Sequence, residues 1–371
     1  MQVLTGFPNY PRGEIIPPYQ RRLFQRENME GLEVLRVWHG VGNRSGKWGR
    51  AFSEGSFAMT SALAALLEAA PDVVIVESPS LLSCWTGVLL KRMRSTAFVM
   101  HVSDLIPDMA LELGMLSRGW LTTILDKMSA FFYKEADALI VVTDGLGKTL
   151  AAKGIQTEKV HLIRNGVEDH WFANGTEDPG SKASFQIVYF GNHGVAQNLS
   201  VILDAASLLV NEEIVFNLFG DGIEKTALVE KAQRLGLEKV CFHPSLPQLE
   251  LADRLQRANA VIVPLCDRPG MEKAVPSKLI EAMAAGKPVI LSARGESAEL
   301  VREAQAGLVV EPDNPKALAE AICRIRENPE EAKRMGENGR EFVRQNFLRS
   351  VLVDKLEKLL IELVEEKRQE T

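Results

Sequence analysis

The sequence predicts an α/β protein built from two Rossmann-like, doubly wound domains that face each other across a cleft. Short apolar, β-branched runs alternate with segments of helical periodicity along the whole 371-residue chain. Runs that are apolar at every position are typical of strands covered on both faces, as in a parallel sheet between two layers of helices. A polar segment at residues 168–185 contains Gly and Pro without periodicity, so it predicts a linker between two strand series.

Ten runs are predicted strands. Those of the first half are DVVIVE (72–77), AFVM (97–100), ALIVV (138–142) and VHLI (160–163). Those of the second half are IVYF (187–190), IVFNLF (214–219), VCF (240–242), AVIVPL (260–265), PVIL (288–291) and GLVV (307–310). The segments between them, such as SFAMTSALAALLEAA and LVEKAQRLGL, have apolar residues at helical spacing. Such alternation predicts a doubly wound α/β architecture.

We therefore predict three regions: a first domain at 1–170, a second at 185–347 and a C-terminal helix at 348–371. The last helix has one leucine-rich face, consisting of Leu352, Leu356, Leu359, Leu360 and Leu363. The sequence leaves open on which domain this helix packs. Ligands of doubly wound domains bind at the carboxyl ends of the strands, where loops and helix N-termini converge.

Composition excludes several classes of protein. The net charge of -6 argues against a general nucleic-acid binder, so we expect no nucleic-acid partner. Four widely spaced cysteines without a C-x-x-C pair predict neither a zinc site nor a disulfide framework, and favour a reducing, cytoplasmic location. No apolar run is long enough to span a bilayer, so any membrane contact is expected to be peripheral.

Two glycine-containing turns follow the first two strands of the second half. YFGNHGVAQNL (189–199) has Gly191 and Gly194 directly after a strand, where glycines let a backbone approach a diphosphate. The next strand ends in FGDG (219–222), and an Asp at this place often holds a ribose. Two alternatives remain open: a tight turn without a ligand, and an Asp221 that only caps its loop.

The segment AVPSKLIEAMAAGKPVILS (274–292) is the most informative. A loop with Pro276 and Ser277 leads into a helix in which Lys278 and Glu281 share one face. A lysine in the first turn gains nothing from the helix dipole, which favours anions there, so it suggests a phosphate ligand. Glu281 can accept two hydrogen bonds from a ribose diol. The alternative is an exposed ion pair within the helix.

In the first half, HVSDLIPD (101–108) follows a predicted strand, so His101 and Asp104 are candidates at its carboxyl edge. ESPS (77–80) occupies the same edge one strand earlier, and a purely structural His101 is the alternative. Basic residues cluster in RRLFQR (21–26), NRSGKWGRAF (43–52) and KRMR (91–94). Interleaved aromatic residues favour contact with an anionic membrane, whereas the alternative is an ordinary solvated surface.

These motifs carry a resemblance to a known family. The matching elements occur in family order over nearly the whole chain: LTGFPNYPRGEI (4–15), SDLIPDMALELG (103–114), RNGVE (164–168), YFGNHGVAQNL, FGDG and PSKLIEAMAAGKPVI (276–290). The chain resembles the retaining GT-B glycosyltransferases (the family 4-like group), and within them the branch that builds bacterial capsular, O-antigen and exopolysaccharide repeat units.

The resemblance implies a nucleotide diphosphate sugar, commonly UDP-linked, bound mainly by the second domain without an essential metal or cofactor. It implies that Glu281 holds the ribose, that Lys278 and the turn of Gly191, Asn192, Gly194 and Gln197 receive the diphosphate, and that the region of Gly220, Asp221 and Gly222 lies by the base. Pro276 and Ser277 complete the predicted donor site, and Asp104, His101 and Lys278 are the predicted catalytic residues. The acceptor implied is a glycan or a polyprenyl-diphosphate-linked sugar at the inner face of the plasma membrane.

Three features depart from the family pattern. Many relatives have Glu where this chain has Lys273, and Arg and Lys where it has Asn192 and Gln197. Family members also begin with a strand, a glycine turn and a long helix that are missing before the segment at Met1. This predicts either a misplaced or truncated start or a degenerate form of the protein. The alternatives to a transferase are a sugar-nucleotide epimerase on the same fold and an inactive homologue that acts as a binding subunit. A nicotinamide dehydrogenase is disfavoured because G-x-G-x-x-G is absent.

Overall fold

The computed structural model describes residues 1–9, 14–41, 47–78, 80–112, 116–172 and 184–370. Residues 173–183 of the predicted linker and residues 43–46 of NRSGKWGRAF lie outside the described residues. The chain divides into two compact units. The first comprises Met1–Val142, Leu146–Leu162 and Glu357–Thr371, and the second comprises Thr143–Gly145 and Ile163–Leu356.

The strands are β1 (Gln2–Gly6), β2 (Phe24–Met29), β3 (Leu32–Val37), β4 (Val73–Glu77), β5 (Ala97–Val102), β6 (Ala138–Val141), β7 (Val160–Leu162), β8 (Phe185–Phe190), β9 (Ile214–Phe219), β10 (Val240–His243), β11 (Ala260–Pro264), β12 (Val289–Ser292) and β13 (Gly307–Val310).

The helices are α1 (Lys47–Leu67), α2 (Cys84–Arg94), α3 (Asp108–Glu112), α4 (Trp120–Glu135), α5 (Asp144–Ala152), α6 (Ser200–Leu208), α7 (Lys225–Arg234), α8 (Gln248–Gln256), α9 (Ser277–Ala284), α10 (Glu296–Glu303), α11 (Pro315–Glu327), α12 (Pro329–Asn346) and α13 (Arg349–Glu370). None of the described helices is long and apolar enough to span a bilayer.

In the first unit, β4, β5, β6 and β7 form a parallel sheet in chain order. Its apolar strands pack against α2 and α4, and the core contains the fully buried side chains of Phe98, Met100 and Phe132. Gly87 of α2 allows this packing, because a Cβ atom there would lie 2.4 Å from the ring of Phe98. The sheet ends at paired positions Glu77 and His101, which sets these two side chains side by side.

The first unit also contains a three-stranded sheet with the order β1-β3-β2, in which β2 and β3 form an antiparallel hairpin. Periodicity did not predict this hairpin, because β2 (FQRENM) is a polar edge strand with mostly exposed or half-buried side chains. The turn between β2 and β3 consists of Glu30 and Gly31. Both residues have positive φ, as a tight two-residue hairpin turn requires. The prediction of a missing strand and helix before β1 stays a prediction.

In the second unit, six parallel strands form one sheet with the order β10-β9-β8-β11-β12-β13. The chain builds outward from β8 through β9 and β10, and then returns to the other side of β8 with β11. The strand order therefore reverses between β8 and β11. In open α/β sheets, the crevice at the carboxyl ends of the strands beside such a reversal is where ligands bind.

All ten predicted runs form strands, β4–β13, and the predicted α/β class with parallel sheets in two Rossmann-like domains is confirmed. The predicted leucine-rich face of the last helix is the inward face of α13, since Leu352, Leu359 and Leu363 are buried. Its C-terminal part belongs to the first unit, where Lys367 forms an ion pair with Asp137.

Candidate functional site

The turns after β8 and β9 interlock at the switch point of the second unit. Backbone N–H groups of Gly191 and His193 donate to the carbonyl oxygens of Phe219 and Asp221, at 2.9 and 2.8 Å. Gly220 has φ +144, and a Cβ atom there would lie 1.8 Å from the carbonyl oxygen of Gly191. Because both turns come this close, a side chain at that position cannot be accommodated.

The turn after β8 is packed with polar side chains of its own segment. The hydroxyl of Tyr189, at the end of the strand, donates to the backbone carbonyl of Asn192 at 2.6 Å. At Gly194 a Cβ atom would lie 2.6 Å from the amide nitrogen of Asn192 and 3.0 Å from the amide oxygen of Gln197. That Gln197 oxygen is buried and has no hydrogen-bond partner among the described residues. Rotation of this amide by 180° would present its NH2 group as a donor to an anion at this turn.

Lys278 lies over this turn from the first turn of α9. Its Nζ donates to the Tyr189 hydroxyl at 2.8 Å and lies 4.4 Å from the centroid of the tyrosine ring. A Cβ atom at Gly191 would be 3.0 Å from the same Nζ. Burial lowers the pKa of Lys278 to about 8, although the nearby Glu281 carboxylate acts to raise it. The site thus holds a cation poorly solvated by water, which gains from an anionic ligand.

The start of α9 adds backbone donors beside Lys278. Pro276 is the N-cap residue, Ser277 is the first helical residue, and in the described part of the chain no side-chain hydrogen bond caps this end of the helix. The first N–H groups of a helix have no partner within the helix and attract anions. Lys278, the uncapped amides of α9 and the glycine turn after β8 therefore lie together at the point where the strand order reverses, between β8 and β11.

Glu281 follows one turn later on α9, half-buried. Burial raises its pKa to about 7, while Lys278 and Arg349 act to lower it. Within the described chain the Glu281 carboxylate accepts no hydrogen bond, so both carboxylate oxygens are open to donors from a ligand. The alternative of an exposed Lys278–Glu281 ion pair does not describe the structure, because Lys278 makes its bond with Tyr189.

A cavity of about 430 Å³ lies in the same unit, between residues 167–170 and 348–350. Arg349 lines it, donates to Glu168, and is one of the two cations that act on Glu281. Sequence reasoning did not select Arg349, because nothing in its local pattern links it to the 276–281 segment.

The candidate residues of the first unit form a second group at the carboxyl edge of β4 and β5. Nδ1 of His101 lies 2.6 Å from a carboxylate oxygen of Glu77, and the Ser103 hydroxyl donates to the other oxygen at 2.7 Å. Burial acts to raise the pKa of Glu77, but these hydrogen bonds outweigh it and the net pKa is lowered. Burial raises the pKa of Asp104. Glu77 therefore orients the His101 ring, leaving Nε2 for another partner.

No group of three or more His, Cys, Asp or Glu side chains among the described residues is arranged to hold a metal ion. The prediction of a reaction without metal or cofactor stays a prediction.

Two family models match the chain in tandem. Residues 1–166 match the glycosyl transferase 4-like domain, and residues 177–342 match glycosyl transferases group 1. Together the two matches span most of the chain, and the gap between them, residues 167–176, falls between β7 and β8. The chain belongs to the GT-B glycosyltransferases.

Two relatives of this glycosyltransferase are bacterial proteins. It is 28% identical to the probable glycosyltransferase WbjE of Pseudomonas aeruginosa over 302 residues, which cover 76% of this chain and 73% of WbjE. It is 27% identical to the putative colanic acid biosynthesis glycosyl transferase WcaI of Escherichia coli over 346 residues, covering 87% of this chain and 83% of WcaI.

Solved structures share the fold of this glycosyltransferase. Sucrose-phosphate synthase from Thermosynechococcus elongatus superposes with a TM-score of 0.78 at 19% identity, covering 98% of this chain and 89% of that one. Anabaena HepE in complex with UDP and glucose superposes with a TM-score of 0.70 at 17% identity, covering 89% and 85% of the two chains.

The structure brings the predicted donor residues together within the second unit. Gly191, Asn192, Gly194, Gln197 and Lys278 surround one turn, and Gly220, Asp221 and Gly222 form the turn packed against it. His101 and Asp104 belong to the first unit. Tyr189, which links Lys278 to the turn, was predicted only as a member of a strand; its place two residues before the glycine was the available signal.

Proposed function

We propose that this glycosyltransferase transfers a sugar from a UDP-linked donor to a glycan or lipid-linked acceptor during the synthesis of a cell-surface polysaccharide. The observation that carries the proposal is the position of Lys278, whose amine lies over the glycine turn at the switch point. Glu281 follows one helical turn later, so one short helix offers a cation for a diphosphate and a carboxylate for a ribose. The UDP complex of HepE and the naming of WcaI for colanic acid support the donor and the pathway class.

In the proposed donor complex, the diphosphate lies against the turn of Gly191–Gly194, Lys278 and the first amides of α9. The ribose hydroxyls donate to Glu281, and the base lies near the turn of Gly220–Gly222. Hydrogen bonds to a charged partner contribute about 1.5–3 kcal/mol each, so a few such contacts are enough for micromolar binding.

The proposed transfer breaks the bond between the anomeric carbon and the diphosphate oxygen, and forms a bond from an acceptor hydroxyl oxygen to that carbon. The hydroxyl proton passes to the group of His101 and Asp104, and negative charge develops on the departing diphosphate. Lys278 and the backbone amides stabilise this charge, which is the main electrostatic requirement of such a step. We propose that the lysine serves where other transferases use a metal ion, and that the anomeric configuration is retained.

We assign the acceptor side to the group in the first unit. His101, oriented by Glu77, and Asp104, with its raised pKa, are suited to bind an acceptor hydroxyl and to exchange its proton. The acceptor class implies work at the cytoplasmic face of a membrane.

The experiment that tests the proposal incubates the protein with radiolabelled UDP-sugars, with and without a polyprenyl-diphosphate-linked sugar. Label in the lipid phase that requires both substrates is the expected result. Conversion of the UDP-sugar into its epimer without an acceptor would identify an epimerase instead. UDP binding without either reaction, over a panel of donors, would identify a binding subunit.

A further inference from the structure

The first unit has an amphipathic surface on its two neighbouring helices α2 and α4. At 100° per residue, the outward side of α4 presents Trp120, Ile124, Lys127 and Lys134. Trp120 is 74% exposed and Ile124 is 45% exposed. On α2 the outward side presents Trp85, which is 46% exposed, and Arg92. We call these six residues the α2–α4 face.

Ring contacts join the two helices into one surface. The Trp85 ring lies 5.5 Å from that of Phe131 and 5.2 Å from that of Phe132, both on α4. The Arg92 guanidinium lies 5.8 Å from the centre of the Phe131 ring. Because the rings pack against each other, the apolar part of the face is continuous from one helix to the other and is positioned by the core.

The charge of the face is positive. Arg92 is paired with Glu135 at 2.8 Å, so these two charges offset each other. Lys127 and Lys134 form no ion pair with any acid in the described parts of the chain. The remaining acid of α4, Asp126, lies on another side of the helix. The face therefore combines exposed indole and aliphatic groups with two uncompensated lysines, in a protein of net charge -6.

We propose that the α2–α4 face docks on an anionic phospholipid bilayer. Tryptophan suits the boundary between headgroups and acyl chains, and lysines beside it are attracted to anionic lipids. A protein partner is a poorer match, because lysine is depleted from protein interfaces. The proposal rests on the proposed function only for its purpose, which is to bring the protein to a lipid-linked acceptor.

Several described cations of the basic clusters identified in the sequence are engaged in other contacts, whereas Arg21 and Arg22 are exposed. Side chains of residues 42–48 and Arg50 lie outside the described residues. Arg26 is paired with Glu33 and Glu68, Lys91 is paired with Asp137, and Arg94 donates to a backbone carbonyl. These engaged cations are less able to bind lipid headgroups than Lys127 and Lys134.

The test is sedimentation of the full chain with vesicles made of equal parts of phosphatidylglycerol and phosphatidylcholine. The protein should pellet with them at low salt and be released at high salt. A lysine near an anionic surface contributes about 1 kcal/mol, so the double variant Lys127→Gln, Lys134→Gln should bind roughly 25-fold more weakly. The matched control is Lys333→Gln, Lys355→Gln, a pair of exposed lysines in the second unit, which should bind as the wild type does.

The apolar part of the face has its own test. Trp120→Ser with Ile124→Ser should also lose vesicle binding, whereas Leu208→Ser with Leu249→Ser, at exposed apolar positions of the second unit, should retain it. Brominated lipids should quench tryptophan fluorescence of the unaltered protein, and less so in Trp120→Phe. This second readout does not depend on the folding of a multiply substituted variant.

Three outcomes overturn the proposal: wild-type protein that stays in the supernatant at low salt, control lysines that matter equally, or face variants that change only the self-association of the protein in sedimentation equilibrium. The last outcome would show that a second copy covers the face. UDP affinity, measured by calorimetry without vesicles, should be the same in all variants. If UDP failed to bind to the wild type and the variants alike, that result would concern the proposed function and not the docking surface.

Discussion

At the residue scale, Lys278 is the group on which the donor site depends. Lys278→Gln should weaken UDP binding at least about tenfold and uridine binding much less, because only UDP has phosphates for the cation. The pKa of about 8 adds a pH dependence. UDP affinity should be highest below pH 8 and fall as the pH rises through it, since the free amine loses its charge. Calorimetry with both ligands over this range measures both effects; equal losses for UDP and uridine would indicate a structural lysine.

Tyr189 positions that lysine and holds the turn through one hydroxyl. Tyr189→Phe keeps the buried ring and removes both hydrogen bonds, so UDP affinity should fall several-fold, with about 1 kcal/mol lost in stability. Tyr133→Phe, at an equally buried tyrosine of the first unit, is the control. If both variants lose stability but bind UDP like the wild type, Tyr189 does not position Lys278.

Glu281 should show a conflict between function and stability. Its pKa is raised by burial to about 7, so the folded state favours the protonated acid and is destabilised as the pH rises from about 4.5 through 7. At pH 8, Glu281→Gln should therefore be roughly 1–3 kcal/mol more stable than the wild type and unfold at a higher temperature. At pH 5 the two proteins should unfold at a similar temperature. The same variant should bind UDP at least about tenfold more weakly. A Tm difference that is independent of pH would contradict the assignment of this carboxyl.

At the element scale, the paired turns after β8 and β9 are the structure that makes the phosphate site. Gly220→Ala places a methyl group where the Gly191 carbonyl lies, at positive φ, so the two turns must separate. We expect a loss of about 3 kcal/mol or more in unfolding free energy, together with loss of UDP binding. Urea unfolding and calorimetry measure the two effects.

The control for this element is Gly236→Ala. Gly236 has φ +65, but no atom lies within 4 Å of an added Cβ. Only the left-handed backbone conformation should therefore lower the free energy of unfolding, by about 1–2 kcal/mol. UDP binding should remain. Equal stability losses in the two variants would show that close approach of the turns is not the constraint.

At the scale of the whole molecule, donor binding should be confined to the second unit. UDP binds only the folded state, so it should slow amide hydrogen exchange where it makes contact. We expect protection in residues 190–198, 219–225 and 276–283, and unchanged exchange in β4–β7 of the first unit. Hydrogen exchange mass spectrometry measures this, and protection centred on the 77–104 edge instead would displace the donor site.

The sequence by itself determined the repeating strand–helix order, since apolar runs and helical periodicity are local signals. β4–β13 and the inward face of α13 follow from them. It also indicated the glycine turns and the Pro-Ser-Lys entry to α9, because special backbone conformations need special residues. The hairpin of β2 and β3 escaped this reasoning, as an edge strand with a polar face has no apolar pattern to detect.

Only the tertiary structure decided what these local features do together. Lys278 and Glu281 share a helix face and suggest an ion pair, yet burial and a tyrosine 89 positions earlier make Lys278 part of the turn after β8. Arg349, at the start of α13, is far from Glu281 along the chain, yet its charge acts to lower the pKa of that carboxyl. Hydrogen bonds and charge interactions depend on distance in space and on exclusion of water. Spacing along the chain specifies neither, so the reversal of strand order between β8 and β11 is what assembles the site.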